Sequence, residues 1–165
     1  MLIYLIRHGQ TDWNAEGRMQ GQKDIGLNAT GCAQASENGR KLGQILGETA
    51  TEFDFVSSPL WRTRDTMERV RTSMGLPAQG YRLDDRLKEL SFGDWEGSTL
   101  AELARVSPER VQERSRQKWS FIPPGEDAES YEILSWRIGA WLASVDRPTV
   151  CVSHGGVIRS CFRLV

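Results

Sequence analysis

The chain is poor in the residues that bind metals and close disulfides. It holds three cysteines, Cys32, Cys151 and Cys161, and two histidines, His8 and His154. An odd cysteine count without Cys-x-x-Cys spacing argues against a disulfide framework and a structural zinc, and predicts reduced thiols in a cytoplasmic protein. An excess of one charge is missing too, since 21 Lys and Arg face 22 Asp and Glu for a net charge of -1. No global basic field recruits nucleic acid or a membrane, so anion binding must come from local clusters. Long apolar runs are absent: the first, Leu2 to Ile6, is too short for a signal-peptide core or a membrane span, and no later run approaches spanning length. Phosphate-loop, dinucleotide and nucleophile-elbow glycine motifs do not occur, and six scattered tryptophans form no aromatic-basic platform for bases.

What is present is a globular composition, 39% hydrophobic and 26% charged over 165 residues, which predicts one domain. Residues 2–7 read as a fully buried strand, and residues 8–28 as a long polar loop. A helix is expected from about Thr30 to Leu46, with Gly47 as its stop. A strand over residues 53–57 leads into a helix with Ser58 as cap and Pro59 at its first position. A short strand is expected near residues 81–83, a turn region at 91–97, and helices near 98–105 and 108–118. After the Pro123-Pro124-Gly125 break comes a strongly patterned helix, about 128–145, with Trp136 and Trp141 in its packing. Thr149 to Ser153 reads as the last strand, followed by a helix over 156–165. Strands alternating with helices predict an α/β fold of three layers, α/β/α, around a mostly parallel sheet.

Both histidines follow apolar strands, at the sheet edge where open α/β folds bind ligands. Arg7-His8-Gly9 sets a neutral imidazole, a competent nucleophile, beside a guanidinium that can fork onto phosphate. Ser153-His154-Gly155-Gly156 is a strand-to-helix turn that aims N–H groups at an anion, and a protonated His154 would add charge. Arg62, in the first turn of a helix, opposes the helix dipole and would be relieved by an anionic ligand. Arg64 and Arg69 read as solvated or ion-paired surface charges. Glu89, between Leu87 and Leu90, is a carboxyl that burial would keep protonated near neutral pH, with Asp94 and Glu96 as rivals.

These motifs, Arg7-His8-Gly9-Gln10-Thr11-Asp12-Trp13-Asn14, Ser58-Pro59-Leu60-Trp61-Arg62-Thr63, Glu89 to Gly97 and Ser153-His154-Gly155-Gly156, together resemble the histidine phosphatase superfamily, also called phosphoglycerate mutase-like. The resemblance covers the whole chain. It implies that His8 attacks phosphorus and becomes phosphohistidine, while Arg7, Arg62 and His154 grip the phosphoryl oxygens. Glu89 would protonate the leaving group. Asn14 and the Gly155 N–H would add phosphate contacts, and Arg18 and Gln20 would meet the substrate. It implies no metal and no cofactor. The expected activity is hydrolysis of a small phosphate monoester, because the Phe92 to Gly97 segment is similar to that of phosphatase-type members. A mutase is the alternative, and a non-catalytic phosphate-binding protein a more distant one. The chain stops at Val165 within an apolar helix, so a longer native chain is expected. Substrate identity and oligomeric state are not fixed by the sequence.

Overall fold

In a computed structural model, which describes residues 2–165, four strands form one parallel sheet. They are β1 (Ile3–Arg7), β2 (Asp54–Ser57), β3 (Arg82–Leu83) and β4 (Thr149–Ser153), in the order β1-β4-β2-β3. The helices are α1 (Asp12–Ala15), α2 (Ala29–Leu46), α3 (Trp61–Ser73), α4 (Leu100–Val106), α5 (Pro108–Arg116), α6 (Tyr131–Ala143) and α7 (Gly155–Leu164).

The side-chain alternation of β4 builds the three layers. Val150 and Val152 face one side and pack with Leu42 and Leu46 of α2 and Met67 and Val70 of α3. Cys151 faces the other side and packs with Leu134, Ile138 and Trp141 of α6 and Val157 and Cys161 of α7. Burying each such large apolar side chain contributes about 1.5–3 kcal/mol. A third cluster, Met19, Trp95 and Phe121, roots the connecting segments.

Four expectations need correction. The 2–7 strand is half-buried rather than fully buried, because β1 is an edge strand with β4 as its one partner. The 8–28 segment is not all loop: Thr11 and Asn14 form a reciprocal capping box that closes the single turn of α1. Ser58 and Pro59 do not open the third helix. The chain bends at residues 59–60, Leu60 has extended dihedrals, α3 starts at Trp61, and Asp24 from a distant loop accepts the Trp61 N–H at 2.7 Å. Trp136 is 75% exposed, because the buried stripe of α6 runs through Tyr131, Leu134, Ile138 and Trp141.

Register fixes what meets at the sheet edge. Arg7 pairs with Ser153, and Ser57 pairs with Val152. The next residues on adjacent strands, His8, His154 and Ser58, are therefore neighbours. The chain leaving β1 is pressed against α2, since a Cβ on Gly9 would stand 2.8 Å from Gly31 Cα and one on Gly31 would stand 2.6 Å from Gln10 N. Gly31→Ala is expected to cost roughly 2 kcal/mol through this backbone clash. Denaturant unfolding measures it, and an unchanged midpoint would refute the tight approach.

Candidate active site

His8 follows β1 and is buried. Its Nδ1 lies 2.7 Å from the Gly9 carbonyl. A carbonyl only accepts, so Nδ1 carries the proton and Nε2 keeps its lone pair. Burial, with the positive charge of Arg62 and Arg7 close by, lowers the His8 pKa to about 3. The imidazole is thus neutral and nucleophilic over the whole physiological range. The Gly9 N–H donates to Thr66 Oγ1 at 3.1 Å, which ties this turn to α3.

His154 caps the start of α7 and is wholly buried, its ring 5.2 Å from that of His8. Its pKa is driven well below the ordinary value, first by burial and then by the charge of Arg62. The expected protonated His154 is therefore corrected: it is a neutral ring, because burial beside guanidinium groups expels the proton. Its Nε2 meets Ser58 Oγ at 2.8 Å, and its Nδ1 has no partner among the described residues.

Arg62 is fully buried near the start of α3. It donates to the carbonyls of Gly21 and Lys23, both at 2.6 Å. With the Gln20 amide oriented to satisfy its neighbours, Gln20 Oε1 also accepts from Arg62 Nε at 2.7 Å, and Gln20 Nε2 meets Thr11 Oγ1. Burial draws the guanidinium down to about 10, still cationic at neutral pH. One hydrogen on Nη2 is left without a protein acceptor among the described residues.

Glu89 occupies the far side. Both carboxyl oxygens accept from the Gly156 N–H at 3.1 Å, and Oε1 also accepts from the Leu90 N–H at 2.9 Å. Burial raises its pKa, while these amides and the charges of Arg62 and Arg137 pull it partly back. Its rivals fall away on geometry. Glu96 spends Oε1 on the backbone N–H groups of Gln22 and Phe92, and Asp94 is exposed beside Gly125.

Arg7, Asn14 and Arg18 join His8 in lining a cleft of about 760 Å³ that also reaches Gln34, Asn38 and Lys41 of α2. Asn14 Oδ1 accepts the Thr11 N–H at 3.1 Å, which leaves Nδ2 for a ligand. Arg7 Nε lies 3.7 Å from the position a Gly155 Cβ would take, so its guanidinium closes over the α7 N-terminus. Arg18 is engaged by Glu16, Glu102 and the Gly97 carbonyl, and Gln20 is buried behind Arg62. Gln20 is thus a brace for Arg62, whereas Arg18, held at Nε and Nη1, still lines the cleft.

Sequence reasoning missed Arg137. Its five N–H groups reach the Glu129 carboxylate twice and the carbonyls of Arg86, Lys88 and Glu89. This guanidinium fixes the backbone that presents Glu89. The signal was available: α6 carries only two charged residues, Glu132 and Arg137, among apolar ones.

Comparison with known proteins identifies the family. The profile of the histidine phosphatase superfamily (branch 1) matches residues 3–165. Glucosyl-3-phosphoglycerate phosphatase of Mycobacterium tuberculosis is 34% identical over 94% of this chain and 71% of its own length. Probable phosphoglycerate mutase GpmB of Citrobacter koseri is 38% identical over 93% of this chain and 69% of its own. The native structure of a mycobacterial glucosyl-3-phosphoglycerate phosphatase superposes with a TM-score of 0.78 at 33% identity, covering 97% of this chain and 76% of that one. The chain belongs to the histidine phosphatase superfamily.

The neutral histidines set a pH dependence of stability. An unfolded histidine titrates near 6.5, whereas folded His8 titrates at about 3. Between those values the unfolded chain binds the proton and the folded chain does not, so stability falls as pH falls through that window. His154, whose pKa is also lowered, acts in the same direction. Glu89, whose pKa is raised, acts with the opposite sign. Thermal unfolding of wild type and His8→Gln from pH 7 to 4 is expected to show a shallower decline in the variant. Parallel curves would place His8 in solvent.

Proposed function

We propose that the chain is a metal-independent phosphomonoesterase acting on a small phosphorylated metabolite through a phosphohistidine at His8. The observation that carries this reading is the His8 tautomer: Nδ1 is held by the Gly9 carbonyl, so the unprotonated Nε2 is the nitrogen left to attack. Nε2 forms the N–P bond as the ester P–O bond breaks. The Arg7 and Arg62 guanidinium groups and the His154 ring hold the phosphoryl oxygens, with Asn14 Nδ2 and the Gly155 N–H as further donors. The protonated Glu89 carboxyl gives its proton to the departing oxygen. As a carboxylate it then takes a proton from water, whose oxygen attacks phosphorus and releases phosphate and neutral His8.

Three free cysteines, two of them buried, suit a reducing cytoplasmic setting. Among the described residues no helix is long and apolar enough to cross a membrane. The mutase reading draws support from the GpmB relatives and from the similarity to a structure described as phosphoglycerate mutase from Thermus thermophilus. A mutase must hold its phosphohistidine away from water, and the link from Gly97 to Pro123 is short for such a cover.

Hydrolysis of p-nitrophenyl phosphate in excess EDTA tests the proposal. Activity in wild type and none in His8→Ala is expected; activity surviving in His8→Ala, or none in wild type, would overturn it. In single-turnover measurements of His8 phosphorylation, Glu89→Gln is expected to lose on the order of a hundredfold in rate with an alkyl phosphate and far less with p-nitrophenyl phosphate, whose leaving group needs no proton. Equal losses on the two substrates would remove Glu89 from proton transfer.

A further inference from the structure

The buried Nδ1 of His154 is anomalous. His154 is 0% exposed, yet this nitrogen meets no partner among the described residues. An unpaired buried polar atom costs about 1–3 kcal/mol, so its persistence asks for a ligand or another account. The other ring nitrogen decides what Nδ1 can offer. It lies 2.8 Å from Ser58 Oγ, and two arrangements fit that distance. In one, His154 Nε2–H donates to Ser58, and Nδ1 presents a lone pair. In the other, Ser58 O–H donates to Nε2, and Nδ1 carries the hydrogen.

The surroundings choose the second. Ser58 O–H has no other acceptor among the described residues, so the first arrangement would orphan a buried hydroxyl hydrogen as well. The Leu60 N–H points at Ser58 Oγ from 3.5 Å, which leaves the hydroxyl hydrogen free to turn toward the ring. Ser58 is also rigid. Its N–H donates to the Val152 carbonyl at 3.1 Å, and its own carbonyl accepts from Ser57 Oγ and Thr63 Oγ1, both at 2.9 Å. A lone pair on Nδ1 would repel a phosphoryl oxygen, whereas an N–H would bind it.

We propose that Ser58 is a positioning residue that locks neutral His154 in the Nδ1–H tautomer, making it an uncharged hydrogen-bond donor to the phosphoryl group. The proposal rests on the phosphatase reading for its use and on the Ser58–His154 geometry for its existence. Ser58 touches no reacting atom. It acts through His154 as the Gly9 carbonyl acts through His8, so the two histidines share a tautomer and differ in task. On His8 the free Nε2 attacks; on His154 the free Nδ1–H binds.

With two histidines in the chain, nitrogen-15 NMR has four ring nitrogens to resolve, and His8→Gln leaves those of His154 alone. The wild type is expected to show a protonated Nδ1 and an unprotonated Nε2 at His154. A protonated Nε2, or a mixture of the two forms, would overturn the proposal. Ser58→Ala is expected to release the tautomer and to lower kcat on p-nitrophenyl phosphate roughly ten- to a hundredfold, with KM little changed. Ser58→Thr keeps the hydroxyl and is expected to restore both the spectrum and most of the rate. If Ser58→Ala does not fold, Ser58→Cys keeps the volume, loses the strong donor and takes its place. Equal rate losses in Ser58→Ala and Ser58→Thr with an unchanged spectrum would make Ser58 a packing residue and sink the proposal. Inactive wild type with His154 in the Nδ1–H form would defeat the phosphatase reading and leave the tautomer assignment standing.

Discussion

A guanidinium with no solvent exposure needs acceptors on every side that faces protein, because an unpaired buried charge costs several kcal/mol. Arg62 meets that demand with the carbonyls of Gly21 and Lys23 and the side chain of Gln20. These three acceptors lie in one polar segment with little regular structure of its own. The charge therefore folds the loop, and the loop in turn supplies Asp24 to the exposed end of α3. The same charge adds to the protonation balance of the site. Burial first, and then this charge, lowers the pKa of both histidines, and the charge pulls Glu89 back from the full rise that burial alone would cause. An Ala at this position would remove a donor without a protein acceptor, the anchor of residues 20–24 and part of what lowers the His8 pKa, so its effect cannot be apportioned to one of them.

Arg137 is the counterpart on the other face of the sheet. Where Arg62 leaves a donor for a ligand, Arg137 leaves none. One guanidinium is poised to bind and the other is spent on structure. The spent one holds Arg86, Lys88 and Glu89 by their carbonyls, so the Glu89 carboxyl is set against the Gly156 N–H by a rigid backbone. The helix N-terminus there gives the Gly156 N–H to Glu89, and on the proposed mechanism the Gly155 N–H would serve the phosphoryl group.

The strands, the helix order and the location of both histidines were legible in the sequence, because apolar runs ending in Arg-His or Ser-His mark strand ends whatever the rest of the chain does. Burial depth was not legible. His154 read as a cation because the motif shows a basic residue at a helix N-terminus, and the charges packed behind it come from residues 62 and 7. Ser58 read as a helix cap because Ser-Pro is a common helix opening. Its hydroxyl is claimed instead by a histidine 96 positions away in the chain. Gln20 and Arg18 read as substrate contacts because the loop bearing them lies near the site, and only the fold shows Gln20 turned inward to Arg62. Local propensity fails at these positions because long-range polar partners outbid it.

The neutral state of His154 changes how the site balances charge. A phosphoryl dianion brings two negative charges, and Arg7 and Arg62 bring two positive ones. A cationic His154 would exceed that match, and it would deepen binding of substrate and product phosphate alike, which raises affinity without raising turnover. A neutral N–H donor stabilises the charge that develops on the phosphoryl oxygens and adds little to the Coulomb attraction that holds phosphate after reaction. Its pKa is driven well below the ordinary value, so on the proposed mechanism the donor would stay in place while Glu89 gives up and regains its proton. Burial that first reads as a cost to His154 would then separate the group that binds from the group that exchanges protons.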